Sequence, residues 1–176
     1  MNTFSDPIKI INQVALNADP HIADFGCGAG AYSLELAKKN PTGKIFAIDV
    51  RKEMIERLSN IAESSNLKNI HVVWGDVDEN HGSRLRESTM DAVFLINTLF
   101  QAEKKKDMLA EVSRILKIGG KLILVDWSES FGNIGPAIAD VILEDTAKLL
   151  VEEAGLMFEN ELDAGEHHYG FIARKV

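Results

Sequence analysis

The feature that most restricts how this chain can fold is the position of its carboxylates relative to its apolar runs. Short apolar stretches of strand length alternate with longer stretches of helical period, and the strand-like runs stay uncharged until their carboxyl ends. An aspartate then appears: Asp24, Asp49 and Asp76 at the ends of the first three, and Asp126 after Leu122–Val125. Central strands of a parallel sheet are buried on both faces and leave no room for charge along their length. Ligands of such sheets bind outside the carboxyl ends of the strands, near the point where strand order reverses. The pattern therefore predicts a binding edge with four carboxylates on it.

The rest of the chain is consistent with that frame. Asp6-Pro7 reads as an N-cap followed by proline at the first helical position, with Ile8, Ile11 and Ala15 as the stripe of an N-terminal helix. Strands are expected at about Ile22–Phe25, Lys44–Ile48, Ile70–Trp74, Ala92–Ile96 and Leu122–Val125. Helices are expected at about Ala31–Lys39, around Met54–Ala62, around Met108–Leu116 with Gly119-Gly120 closing it, and at Glu144–Ala154 before Gly155. Leu156–Leu162 and Tyr169–Arg174 are separated by a connection too short for a crossover helix, so these two strands should pair antiparallel. The expected fold is α/β, a Rossmann-like doubly wound seven-stranded sheet of order 3-2-1-4-5-7-6, mostly parallel with one antiparallel strand.

Bulk properties narrow the function. A chain of 176 residues fits one domain, 1–176, in which about 1–18 would form an N-terminal helix or lid and 127–140 an acceptor-covering loop. A net charge of -8 speaks against non-specific attraction to nucleic acid or an anionic membrane. The single cysteine, Cys27, excludes an internal disulfide and a multi-cysteine zinc site. No apolar run approaches the ~20 residues of a membrane span. No basic stretch followed by an apolar run opens the chain, so a cytoplasmic location is expected.

The segment Asp24-Phe-Gly-Cys-Gly-Ala-Gly30 joins the first strand to its helix. Its glycines suit close approach of backbone to a nucleotide-like ligand, but that spacing serves dinucleotide and adenosylmethionine enzymes alike. Asp24 separates them. A pyrophosphate on the helix N-terminus would be repelled by a carboxylate two residues before the first glycine, whereas an ammonium group beside a sulfonium would be attracted. Asp49 suits the two hydroxyls of a ribose, and Asp76 in Trp74-Gly75-Asp76-Val77 suits an adenine amino group.

These residues resemble the motifs of the class I S-adenosylmethionine-dependent methyltransferases across nearly the whole chain. Asp24–Gly30 is similar to the glycine-rich first motif, Ile48-Asp49-Val50 to the acidic second, Gly75-Asp76-Val77 to the third, and Asp91–Gln101 to the fourth. Leu116-Lys-Ile-Gly119-Gly120 is similar to the family's LKPGG segment, with isoleucine in place of proline. Within the family the chain looks most like the short type-11 group related to ubiquinone/menaquinone-biosynthesis C-methyltransferases. The resemblance implies S-adenosyl-L-methionine as cofactor. It implies Gly26, Cys27, Gly28 and Gly30 around the methionine part, with Asp24 near its amino group and backbone near Asn97 meeting it as well. Asp49 would take the ribose, Val50 the adenine face, and Asp76 with the Val77 amide the adenine edge.

Methyl transfer needs a nucleophile held in line, and a base only when the acceptor carries a proton that must leave. The last strand begins on the binding edge, so His167, His168 and Tyr169 are the catalytic candidates. Alternation along a strand would turn the two histidines opposite ways, leaving at most one in the pocket. A metal held by Asp126, Glu129 and a histidine matches no tight ligand motif, and none is expected. The favoured reading is methyl transfer to a small-molecule acceptor. The alternatives are an RNA or protein methyltransferase, a non-catalytic adenosylmethionine-binding partner subunit, and an NAD-dependent oxidoreductase. Neither a membrane nor nucleic acid is expected as a partner, and oligomeric state is open.

Overall fold

A computed structural model of the chain describes residues 5–132 and 134–176. The elements run α1 Pro7–Asn12, β1 His21–Phe25, α2 Ala31–Lys39, β2 Lys44–Asp49, α3 Lys52–Ser64, β3 Ile70–Trp74 and β4 Met90–Ile96, then α4 Lys105–Ile115, β5 Leu116–Trp127, α5 Glu144–Glu153, β6 Leu156–Glu161 and β7 His168–Lys175. Three-residue 3-10 turns lie at Leu99–Gln101 and Ile138–Asp140. The strands form one seven-stranded sheet in the order β3-β2-β1-β4-β5-β7-β6. β1 to β5 pair parallel, and β7 pairs antiparallel with both β5 and β6.

Burial follows from this arrangement. β1, β4 and the carboxyl half of β5 are buried almost throughout, as strands covered on both faces must be. One core joins Phe25, Val93, Leu95, Leu122 and Leu124 to α4 and α5. A second joins Ile22, Phe94, Ile123 and Val125 to α1 and α2, and a smaller third joins Cys27 and Ala47 to Leu58 of α3.

Several boundaries differ from expectation. Asp6 caps α1, its carboxylate accepting from the Ile8 amide at 2.9 Å, but the helix has only six residues and its buried side chains are Ile10 and Ile11. Ile8 is 57% exposed, and Ala15 lies beyond the helix. The glycine pair 119–120 does not close α4. The chain turns extended at Leu116 (ψ 138°) and both glycines fall inside β5. A side chain at Gly120 would crowd the carbonyls of Lys117 and Met90, beside the register shift between Met90 and Ala92. The proposed lid's first four residues lie outside the described part. No helix among the described residues is long and apolar enough to cross a membrane.

Candidate functional site

The loop Phe25–Gly30 is positioned by backbone bonds that leave few donors for a ligand. The amides of Gly26 and Cys27 both donate to the Ile48 carbonyl, at 2.9 and 3.0 Å, and that of Gly30 donates to the Cys27 carbonyl at 2.9 Å. The Gly28 amide donates to Asp49 Oδ2 at 2.8 Å. All three glycines have positive φ (69°, 52° and 89°). A side chain at Gly26 would meet Thr98, and one at Gly30 would collide with Leu58. A pyrophosphate needs such amides free and pointing outward. Here they are spent within the protein.

Beside this loop lies an open cavity of about 240 Å³ at the carboxyl ends of β1, β2 and β4. Five of the residues expected at the cofactor line it: Gly26, Asp49, Val50, Asp76 and Val77. Gly28, Gly30, Cys27, Asp24 and Asn97 do not; they shape its surroundings instead. Arg51, Gly75, Asp78, Thr98, Gln101, Ala102 and Met108 complete the lining. Thr98 and Ala102 escaped sequence reasoning because the 3-10 turn that brings them to Gly26 has no periodicity to read.

Asp49 is the best-tied carboxylate of the site. Oδ1 accepts from the Arg51 amide at 2.9 Å and from its Nε at 3.2 Å, and Oδ2 accepts from Gly28. Burial alone would raise its pKa, but the Arg51 and Gly28 hydrogen bonds outweigh burial and hold it below the usual range. Asp24 is different. It is only 3% exposed and accepts from Ser33 Oγ at 2.5 Å. Burial pushes its pKa up to about 6, and the Ser33 bond and its burial leave little of the carboxylate open. Burial likewise raises the Cys27 thiol, whose Sγ faces the Gly28 carbonyl.

A second group of residues occupies the same sheet edge at β4, β5 and β7. Asp126 is 1% exposed, accepts from the Trp127 amide at 2.8 Å and the Phe100 amide at 3.0 Å, and is pushed by burial up to about 6. His168 opposes Trp127 in register, with ring centroids 4.2 Å apart. His167 precedes the strand with φ 66°, so strand alternation does not set its direction. It stacks on Phe131 and meets Glu129 at 2.6 Å. Asn97 Oδ1, His168 Nε2 and Tyr169 OH are buried and lack hydrogen-bond partners. Among the described residues no group of three His, Cys, Asp or Glu side chains is arranged to hold a metal ion.

The strand order and an acid-lined cavity beside a glycine loop with occupied amides are those of the class I S-adenosylmethionine-dependent methyltransferases. The chain belongs to the methyltransferase domain family, whose model matches residues 16–160. A SAM-dependent methyltransferase from Aquifex aeolicus superposes with a TM-score of 0.87 and 28% identity, over 99% of this chain and 91% of that one. A malonyl-[acyl-carrier protein] O-methyltransferase from Halalkalibacterium halodurans is 29% identical over 143 residues, covering 78% of this chain and 47% of the relative. A tRNA (guanine-N(7)-)-methyltransferase from Rubrobacter xylanophilus is 28% identical over 116 residues, covering 61% and 52%. The chain thus spans about half the length of these curated relatives.

Proposed function

We propose that this chain transfers the methyl group of S-adenosyl-L-methionine to a small-molecule acceptor. The observation that carries the cofactor half is the cavity itself: Asp49, Asp76 and Asp78 beside the apolar Val77, Ala102 and Met108, next to a glycine loop whose Gly26, Cys27, Gly28 and Gly30 amides are bonded within the protein. That lining suits a flat base and a ribose diol attached to a cation, and it does not suit a pyrophosphate. Asp49 takes the ribose hydroxyls, exchanging its Arg51 contact for them. Val50 covers the adenine face, and Asp76 with the Val77 amide reads its edge. Gly26, Cys27, Gly28, Gly30 and Asn97 shape the methionine end. The bound cofactor supplies a methyl group already activated on a sulfonium.

The acceptor half is supported by the unpartnered atoms at β4 and β7. A buried polar atom without a partner costs about 1–3 kcal/mol, and Asn97 Oδ1 and His168 Nε2 suit a ligand that satisfies them. His168 is the best placed to take a proton. The Glu166 carbonyl, 3.1 Å from Nδ1, can only accept, so Nδ1 carries the hydrogen and Nε2 presents its lone pair. Burial holds the ring below its ordinary pKa and therefore neutral at pH 7. Asn97 Oδ1 orients the acceptor, Tyr169 lies on the other face of β7 opposite Asp126, and His167, tied to Glu129, anchors the covering loop 127–140. Residues 1–176 act as one domain, with the segment around Ser5 closing the other side through its 3.4 Å contact with Asn97.

The buried setting of Trp127 and His168 favours a compact acceptor, and the chain's charge of -8 disfavours tRNA. Calorimetry with adenosylmethionine, adenosylhomocysteine and NAD tests the cofactor reading, which fails if only NAD binds. Transfer of labelled methyl into fractionated metabolite, protein and RNA pools tests the acceptor class. Label in RNA alone would overturn the small-molecule reading.

A further inference from the structure

The wall of the cavity formed by Asp76 and Val77 is a loop, and a loop that must read the edge of a base has to be held from behind. Ser83 is fully buried and Glu111 is 2% exposed, a pair of polar residues among the apolar side chains of α4. Apart from Arg114, every hydrogen-bond partner of the Glu111 carboxylate lies in the chain just beyond Asp76. It accepts from Ser83 Oγ at 2.5 Å, from the Ser83 amide at 3.2 Å and from the His81 amide at 3.2 Å. Arg114 closes the clamp. Its Nε and one terminal nitrogen each donate to Glu111 at 2.7 Å, and that nitrogen also donates to the Leu85 carbonyl at 2.8 Å.

The clamped segment is in turn pressed against the adenine wall. The Gly82 amide donates to the Glu79 carbonyl at 2.9 Å, and the Glu79 amide donates to the Asp76 carbonyl at 3.2 Å. Any side chain at Gly82 would collide with the Asp76 carbonyl, and any at Gly75 with the Gly82 carbonyl. His81 and Arg84 flank Gly82 at φ 58° and 59°, left-handed conformations that non-glycine residues hold only when their surroundings enforce them. A leucine at 111 would fill the helix face as well as Glu111 does, so packing alone gives no reason for a carboxylate there.

We propose that Glu111, with Ser83 as its main partner, is a positioning residue for base recognition: it fixes the 81–85 segment behind Asp76 and so makes the site select a 6-amino purine. The inference rests on the reading of Asp76 and Val77 as the adenine edge. Glu111 touches no ligand and acts only through the loop.

The test is calorimetry of the full chain with two probes, S-adenosylhomocysteine and its 6-oxo counterpart S-inosylhomocysteine, on the wild type, Glu111→Gln and Ser83→Ala. The wild type should prefer the amino compound. In Glu111→Gln that preference should fall by about tenfold, the equivalent of one charge-assisted hydrogen bond, with the inosine compound nearly unaffected. Ser83→Ala, which leaves the carboxylate in place and keeps the chain folded if the glutamine variant is not, should show a smaller loss of the same kind. Equal weakening of both probes, or an unchanged ratio in Ser83→Ala, would show a structural role alone and overturn the proposal while leaving the cofactor reading intact. Failure of S-adenosylhomocysteine to bind the wild type, or equal binding of both probes, would overturn the adenine-edge reading and this inference with it.

Discussion

The two halves of the carboxyl edge are built on opposite terms. At β1 to β3 the polar groups are satisfied by the protein itself: Asp49 by Arg51 and Gly28, Asp76 Oδ1 by the Asp78 amide at 3.0 Å, and the glycine amides by Ile48 and Cys27. At β4, β5 and β7 the edge is desolvated and left incomplete. Asp126 is pushed up to about 6, and Asn97 and His168 each hold a buried atom with no partner. A site for an invariant cofactor can be finished in advance, whereas groups that must meet an acceptor in the transition state are worth most when kept dry and unpaired. Asp24 is the exception on the cofactor side, because Ser33 and the α1–α2 face bury it.

The comparison breaks most sharply at His168. If the acceptor half does chemistry, His168→Ala should lower turnover by about 10²–10⁴-fold, the usual contribution of a general base, while adenosylhomocysteine affinity stays within a factor of two or so. Added imidazole should restore part of the rate. Unchanged turnover would move the proton-accepting role elsewhere or remove it.

Asp49→Ala should act on the other half, weakening adenosylhomocysteine by about 100-fold, since the carboxylate would lose two charge-assisted bonds to a diol and leave the Arg51 cation in the cavity. Calorimetry reads this directly, and affinity within a few-fold of the wild type would sink the ribose assignment. Gly30→Ala should cost about 2–3 kcal/mol of stability, because a side chain there meets Leu58 and φ is 89°. Urea titration checks it. A neutral outcome would mean that α3 shifts to make room.

Legibility in the sequence divides along the same line. The strand-end aspartates stood out because a doubly covered strand excludes charge, so Asp24, Asp49 and Asp126 were informative before any coordinates. What each one does was not legible, since Asp24 and Asp49 share a motif position type but differ in what covers them. Thr98 and Ala102 were invisible as site residues because they reach the cavity through a reversal at Asn97 (φ 52°) and a single 3-10 turn, whereas Arg51 caps α3 and Met108 reads as part of the apolar stripe of α4. The glycines at 119–120 misled for a local reason: a glycine pair after a helical stripe signals closure, but the chain had already left the helix at Leu116. His167 misled similarly, its positive φ placing it before β7 and not within it.

The smallest predicted effect tests the electrostatic side of the contrast. Asp126 titrates near 6 in the folded chain against 3.8 for an ordinary aspartate, because burial disfavours its charge. The folded state therefore binds a proton more tightly than the unfolded one between about pH 4 and pH 6. Its contribution to stability is fully present below that window and is lost as pH rises through it, amounting to about 3 kcal/mol. Asp49 works in the opposite sense, its depressed pKa giving stability above the ordinary value that is lost as pH falls. Asp126→Asn cannot titrate and gives up one acceptor for the Phe100 and Trp127 amides, so it should be less stable than the wild type at pH 4. Between pH 4 and pH 7 that gap should shrink by about 2 kcal/mol, measured by denaturant titration at each pH. A gap that stays constant would mean that Asp126 ionises normally, and the acceptor half would then be wetter than its unpartnered atoms imply.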